Sequence, residues 1–214
     1  MYWRRRVARH VAIAVIGICF GALATKLTNH RSTAEAISLA TAYAGLGLVV
    51  TALVIGPLNL LRRRPNPTST DLRRDVGIWA GLFGITHTVA GFQVHMHGVL
   101  RRYLTVTAGG VGARMFVAAN FLGVIAVILL IVLVSISNDI ALRRFGAARW
   151  KALQRVTYVV IVAIVLHGAM YQIIEKRSWP LALIFSLLVV AAAAMQWAGA
   201  RARKMRSEII SSRP

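Results

Sequence analysis

Acidic residues are scarce in this chain. Six of its 214 residues are Asp or Glu, against 26 Lys and Arg, so a formal net charge of +20 is carried almost wholly by one sign. None of the six lies inside a long apolar run, which deprives a proton-coupled carrier of the buried carboxylate such proteins commonly use. Cysteine is rarer still. Cys19 is the single one and sits in an apolar run, so it can form no intrachain disulfide and no cysteine-based metal cage; it reads as a small buried hydrophobe. Soluble sequence is missing as well. The longest connection between apolar runs extends only from His95 to Arg114, too short for a nucleotide- or flavin-binding domain, so chemistry that needs one must borrow it.

What the chain does contain is apolar. Hydrophobic residues make up 57% and the mean hydropathy is +0.65, against roughly 45–50% apolar in an ordinary soluble domain. That composition names lipid as the solvent. Six stretches reach the roughly 20 residues a spanning helix needs: about 7–25, 37–61, 76–94, 115–137, 156–174 and 179–200. The sequence thus predicts an all-α integral membrane bundle of six transmembrane helices, a single transmembrane domain over residues 1–214. Five tryptophans, Trp3, Trp79, Trp150, Trp179 and Trp197, fall at or near span ends, where an amphipathic ring prefers the headgroup layer.

The basic excess would suit nucleic acid if it were clustered on a soluble face. Here it is confined to short segments between apolar runs. Nineteen of the 26 Lys and Arg lie at the two ends and in the second and fourth loops, and seven in the odd loops. The positive-inside rule therefore predicts that both termini are cytoplasmic. Charge in this protein reads as a topology signal with affinity for anionic membrane lipid, and no nucleic-acid partner is expected.

Three local features bear on how the chain is organised. Arg4 to Arg9, a short apolar stretch and Ala22-Leu23-Ala24 also fit a cleaved signal peptide; the generous apolar length and the Gly17/Gly21 spacing favour a retained, packed helix. Pro65 to Asp71 reads as a polar turn that ends the second helix and caps the third. Gly109 to Gly112 loosens the longest outer loop and lacks the strand and lysine of a phosphate loop.

Only two ionisable residues lie deep inside spans, His87 and His167. Each is twelve residues beyond the inner boundary of its helix, after Asp75 and after Arg155 respectively. At about 1.5 Å per residue both rings sit roughly 18 Å from that boundary. Helices three and five run in the same direction, so the two share a level. A depth-matched pair can be two satisfied polar residues, part of a proton pathway, or the two axial ligands of a planar metal cofactor. Zinc would need four ligands, and no further His, Cys or carboxylate is present at that depth. A haem iron accepts one imidazole on each side. Gly84 and Gly91 share a helical face with His87, and Gly168 follows His167; small residues there allow either a flat ring or a neighbouring helix to approach. Met170 is an alternative axial ligand, more simply core filler.

A haem with its edge toward the outer surface needs cations for its propionates, and Arg101, Arg102, Arg114, Lys176 and Arg177 are the candidates. His95 and His97, at the outer end of the third helix, read as a solvated interfacial pair, with proton uptake or the binding of an external substrate or copper as the alternative. His10 and His30 flank the first span and carry no comparable signal.

Leu72-Arg73-Arg74-x-x-Gly77-x-Trp79 leading into His87, and Arg144-x-Gly146-x-x-Arg149-Trp150-Lys151-x-Leu153-Gln154-Arg155-x-x-Tyr158 leading into His167, resemble the ferric reductase-like transmembrane domain over about residues 40–175. More narrowly, the pattern is similar to the bacterial haem-binding membrane subunit that serves a periplasmic methionine sulfoxide reductase. The resemblance implies a b-type cytochrome of the bacterial inner membrane, with His87 and His167 as axial ligands of haem b. It implies a separate electron donor, a flavin reductase or membrane quinol, and a redox acceptor at the outer face. Members commonly carry histidine where this chain has Gln154, so one haem is expected rather than two. A flavin at the inner face would find its anionic-group partners among Arg73, Arg74, Arg149 and Arg155. The chain is thus expected to be an electron-transfer subunit of an oxidoreductase; the alternative is a proton-coupled transporter or channel with buried histidines.

Overall fold

The computed structural model describes residues 2–27, 29, 32–64, 71–96, 99, 101, 105 and 110–211. Within them the regular structure is helical: α1 (Tyr2–Lys26), α2 (Thr33–Leu61), α3 (Asp71–Met96), α4 (Val111–Ser135), α5 (Asp139–Gln154), α6 (Thr157–Ile174) and α7 (Trp179–Ser211). Among the described residues five segments are long and apolar enough to cross a membrane: α1, α2, α4, the α5–α6 segment and α7. A multi-pass membrane protein follows. Large apolar side chains on the outside of the bundle, such as Ile16, Val162 and Val190, at 57–65% exposure, are what a lipid solvent permits and water would penalise.

The third helix differs from the other long ones. Its 26 residues suffice in length, but four glycines together with Thr86, His87, Thr88 and Gln93 dilute its apolar character. The helix packs against α1, α2 and α4, so protein replaces lipid around much of it and its polar side chains find partners. One stripe, Leu82, Thr86, Val89 and Gln93, still faces outward.

The local signals explain the helix ends. Ser32 caps α2 by accepting from the Glu35 N–H at 3.2 Å, the first half of a capping box. Asn138 caps α5 by accepting from the Ala141 N–H at 2.8 Å. The fourth loop, expected as a plain connection, is therefore largely the amphipathic helix α5. It is broken at Gly146, whose φ of 72° lies in the left-handed region open to glycine. The turn expected over Pro65 to Thr70 lies outside the described residues.

At the centre lies α2, whose Leu46, Val49, Val50 and Leu53 are buried and which touches α1, α3 and α7. The first helix packs against this core through Ile13 and Ala24. A Cβ on Gly21 would lie 2.5 Å from the Ala40 carbonyl oxygen, and one on Gly17 would lie 2.6 Å from the Phe83 ring, so the two glycines serve different neighbours. Cys19 faces the exterior of the bundle instead of the core, because its side of α1 has no neighbouring helix. Trp3, Trp179 and Trp197 are exposed, whereas Trp150 is buried and donates to the Ile136 carbonyl at 2.9 Å. Trp79 also turns inward and donates to His10 Nδ1 at 3.1 Å.

Charge also holds α1 in place. Asp75 is fully buried and receives Arg9 Nε at 2.7 Å and Arg6 at 3.3 Å, with His10 Nε2 at 3.4 Å. Removing one member of a fully buried ion pair costs about 3–5 kcal/mol. Arg6 and Arg9 keep 26% and 29% exposure, and solvent screening brings the expected loss for Asp75→Ala to about 2 kcal/mol. A clear fall in melting temperature in detergent is the expected result; unchanged melting would mean that α1 is held by packing alone.

Candidate functional site

His87 comes from α3 and His167 from α6, and the structure brings their rings to a centroid separation of 6.0 Å with planes at 78°. Each ring is anchored through Nδ1. His87 Nδ1 lies 2.9 Å from the Ser38 carbonyl oxygen and 3.2 Å from Ser38 Oγ, and His167 Nδ1 lies 2.7 Å from the Ala119 carbonyl oxygen. A carbonyl can only accept, so Nδ1 carries the proton in both rings. That assignment leaves Nε2 as the basic nitrogen of each ring. A second-shell acceptor on the far nitrogen is the usual way a protein orients a metal-binding imidazole and raises its basicity.

Both rings line one cavity between α2, α3, α4, α6 and α7, with about 1190 Å³ of space not filled by atoms, part of it open to the outside. Most of its wall is apolar, including Leu46, Val49, Leu130 and Ile164. Among the described residues no group of three or more His, Cys, Asp or Glu could hold a bare metal ion, whereas a haem needs only two axial ligands. The fit can be tested on the ring separation. Metal–imidazole bonds of about 2 Å, with about 1.1 Å more to each ring centre, place two axial rings about 6 Å apart. His87 and His167 meet that requirement.

The glycines expected beside the pair do line the cavity, and they also serve helix packing. A Cβ on Gly168 would meet the Phe185 ring at 2.6 Å and one on Gly84 would meet Leu130 at 3.0 Å. Met170 is not among the lining residues. Of the expected propionate partners, Arg177 lines the cavity and faces Glu35 at 3.6 Å. Arg101, Arg114 and Lys176 are exposed and lie outside the lining. Arg102, His30 and His97 fall outside the described residues.

His95 departs from the solvated expectation. Its side chain is 19% exposed, lines the same cavity, and lies 3.8 Å from Glu175. Its ring packs 5.3 Å from Tyr171 and 5.6 Å from Phe116, and Tyr171 in turn lies 4.9 Å from His167. The C-terminal turn of α3 is covered by Phe116 of α4 and Tyr171 of α6, and aromatic packing takes the place of solvent there.

A second cavity lies at the arginine-rich end, lined by Arg73, Arg74, Lys151, Gln154, Arg155 and Arg203 among others. Arg74 and Arg155 are thus both at this end, far along the helices from the histidine pair. Arg74 is buried and pairs with Asp71 at 2.7 Å and with Asp139; Arg149 is exposed and does not line the cavity.

Sequence reasoning did not single out Ser38, Ala119, Asn120 or Gly123. The two carbonyls carry no residue-type signal at all. Asn120 is fully buried and accepts from Tyr171 Oη at 2.6 Å; an amide in the middle of an apolar run could have marked it. Gly123 faces the His167 ring, where an added Cβ would lie 2.9 Å from Nδ1 and Cε1.

Among curated proteins and among solved structures, none matches this chain. The ferric reductase like transmembrane component family matches residues 41–165, more than half of the chain; the matched stretch holds His87, Gln154 and most of α2 and ends two residues before His167. The chain belongs to the ferric reductase-like transmembrane component family.

Proposed function

We propose that this protein is a membrane b-type cytochrome that carries electrons across the bilayer through one haem b, held by His87 and His167, to an acceptor at the outer face. Family membership supports membrane redox chemistry. The observation that carries the finer reading is the paired geometry: two imidazoles 6.0 Å apart, each with Nδ1 committed to a backbone carbonyl.

A bound haem supplies one-electron redox chemistry at its iron. The chain's own residues do the rest. His87 and His167 bind and orient, and the Ser38 and Ala119 carbonyls fix their tautomers. The apolar wall of Leu46, Val49, Leu130 and Ile164 excludes water and so helps set the potential. Arg177, the cation on the cavity wall, is placed to pair with a propionate. Among the described residues the lining of the second cavity holds no histidine, methionine or cysteine, and Gln154 is part of it; one haem per chain is expected on that ground.

The remaining features follow from charge and size. The helix α3 acts as a sixth span, sheltered by its neighbours, and the arginine-rich end faces the cytoplasm of a bacterial inner membrane. Electrons arrive there from a separate flavin reductase or from quinol. A flavin bound at that end would find Arg73 and Arg155 on the second cavity's wall, while Arg74 is already engaged by two carboxylates. The proton-carrier alternative lacks a carboxylate beside either histidine: both Nδ1 atoms face backbone carbonyls.

The test is a visible spectrum of the detergent-purified protein after haem-replete expression. Sharp Soret and α bands on reduction, with about one haem per chain by pyridine extraction, are expected for bis-imidazole ligation. A protein without haem would overturn the proposal, and two haems per chain would show a ligand outside this pair.

A further inference from the structure

The second cavity is chemically unlike the first. Among the described residues five cations line it and no Asp or Glu does. Asp71 and Asp139 offset Arg74 from outside the lining, and Lys151, Arg155 and Arg203 surround the rim with no carboxylate among the lining residues. Deeper in, Arg74 Nε and Gln154 Nε2 are buried without a hydrogen-bond partner among the described residues. Both are donors. Gln196, the other amide of the lining, is engaged at both ends: its Oε1 accepts from Tyr158 Oη at 3.2 Å and its Nε2 donates to the Leu53 carbonyl at 2.8 Å. Beneath the charged rim the wall is apolar, formed by Val49, Leu53, Leu130, Leu133 and Val160.

Buried donors left unmet are costly, and a cavity lined by five cations, with two buried donors unmet, is complementary to a ligand that supplies acceptors and negative charge. A phosphate diester has that character, and arginine binds it with two parallel N–H donors. A neutral ligand would leave the cations without compensation, and a cationic one is excluded by them. The apolar wall requires a carbon body beyond the head.

We propose that this cavity is a binding site for a phosphate ester carrying an apolar body, the chemistry of an anionic phospholipid headgroup. Arg74 Nε and Gln154 Nε2 meet its oxygens at depth, and Lys151, Arg155 and Arg203 hold it at the rim. The proposal is independent of the haem, because the two cavities contain different polar groups.

Native mass spectrometry of protein released from vesicles of mixed phosphatidylglycerol and phosphatidylcholine tests it. The wild-type chain should retain phosphatidylglycerol, and the double variant Lys151→Gln/Arg203→Gln should retain it about tenfold less, since each cation near an anionic headgroup contributes appreciably. A matched variant away from the cavity, Arg4→Gln/Arg5→Gln, removes the same charge from exposed positions and should retain it as the wild type does. Equal losses in the two double variants, or equal retention of the two lipids, would overturn the proposal by showing charge attraction without a site. If the cavity variant does not fold, Arg203→Gln alone gives the same comparison at smaller amplitude. On delipidated protein, phosphatidylglycerol should raise the melting temperature. The same rise with flavin mononucleotide or glycerol 3-phosphate, and none with phosphatidylglycerol, would keep the phosphate site, overturn its assignment to lipid and give its source as a soluble ester.

Discussion

Replacing His87 or His167 by Ala should each abolish the low-spin bis-imidazole spectrum and most bound haem. Either change removes one of two axial bonds and leaves the other imidazole to hold a ring within helices that have no further ligand at that level. Loss of haem through misfolding gives the same bleached protein, so the assay needs a second readout. Added imidazole should restore low-spin bands in His87→Ala or His167→Ala if the cavity survives, and would restore nothing in an unfolded chain. The control is His95→Ala. His95 lies eight residues further along α3, about 12 Å at 1.5 Å per residue, and its ring contacts reach the pair through Tyr171. Its replacement should retain the haem and at most shift the band positions or the rate of reaction with an outer acceptor. Haem lost from His95→Ala and kept in His87→Ala would move the cofactor to the outer surface and break the assignment on α3.

The apolar runs announced the long helices because lipid makes composition itself a structural signal; α3, announced by the run at 76–94, is the least apolar of them and is not among the five segments apolar enough to cross a membrane, since a helix wrapped by others can carry glycines, threonines and a histidine. The same arithmetic brought His87 and His167 to one level, and the structure sets their rings side by side. What the runs could not show is α5. A 16-residue amphipathic helix with a left-handed glycine in its middle has neither the length nor the apolar density that marks a span. The partners of the histidines were equally silent: carbonyl oxygens of Ser38 and Ala119 depend on helix register, and every residue has one. His95 and Asp75 were visible as titratable groups near span ends, where solvation is the simplest reading. Their burial depends on which helices cover them, and that is a property of the packed bundle.

Gly123→Ala is the sharper probe of the supporting shell. In an ordinary helix position the change stabilises by about 1 kcal/mol, since alanine is the better helix former. Here the new methyl group would lie 2.9 Å from Nδ1 and Cε1 of His167, too close to remain, and the ring must give way. Ala119, one turn before Gly123 on α4, is the residue whose carbonyl holds that same Nδ1 at 2.7 Å, so a displaced ring also loses its anchor. Loss of a second-shell anchor typically lowers metal affinity about 10–100-fold, and the local gain in helix propensity cannot reach the iron. The helix gain is offset by the lost hydrogen bond of a buried ring, about 1–3 kcal/mol, so the expected result is a helical protein with unchanged or modestly lower melting temperature before haem is added, and a haem affinity at least about tenfold weaker. Gly112→Ala, in the first turn of the same helix with nothing within 4 Å of its added Cβ, should bind haem as the wild type does. Equal haem affinity in Gly123→Ala and the wild type would show that the His167 ring has room to spare, and that α4 does not set its position.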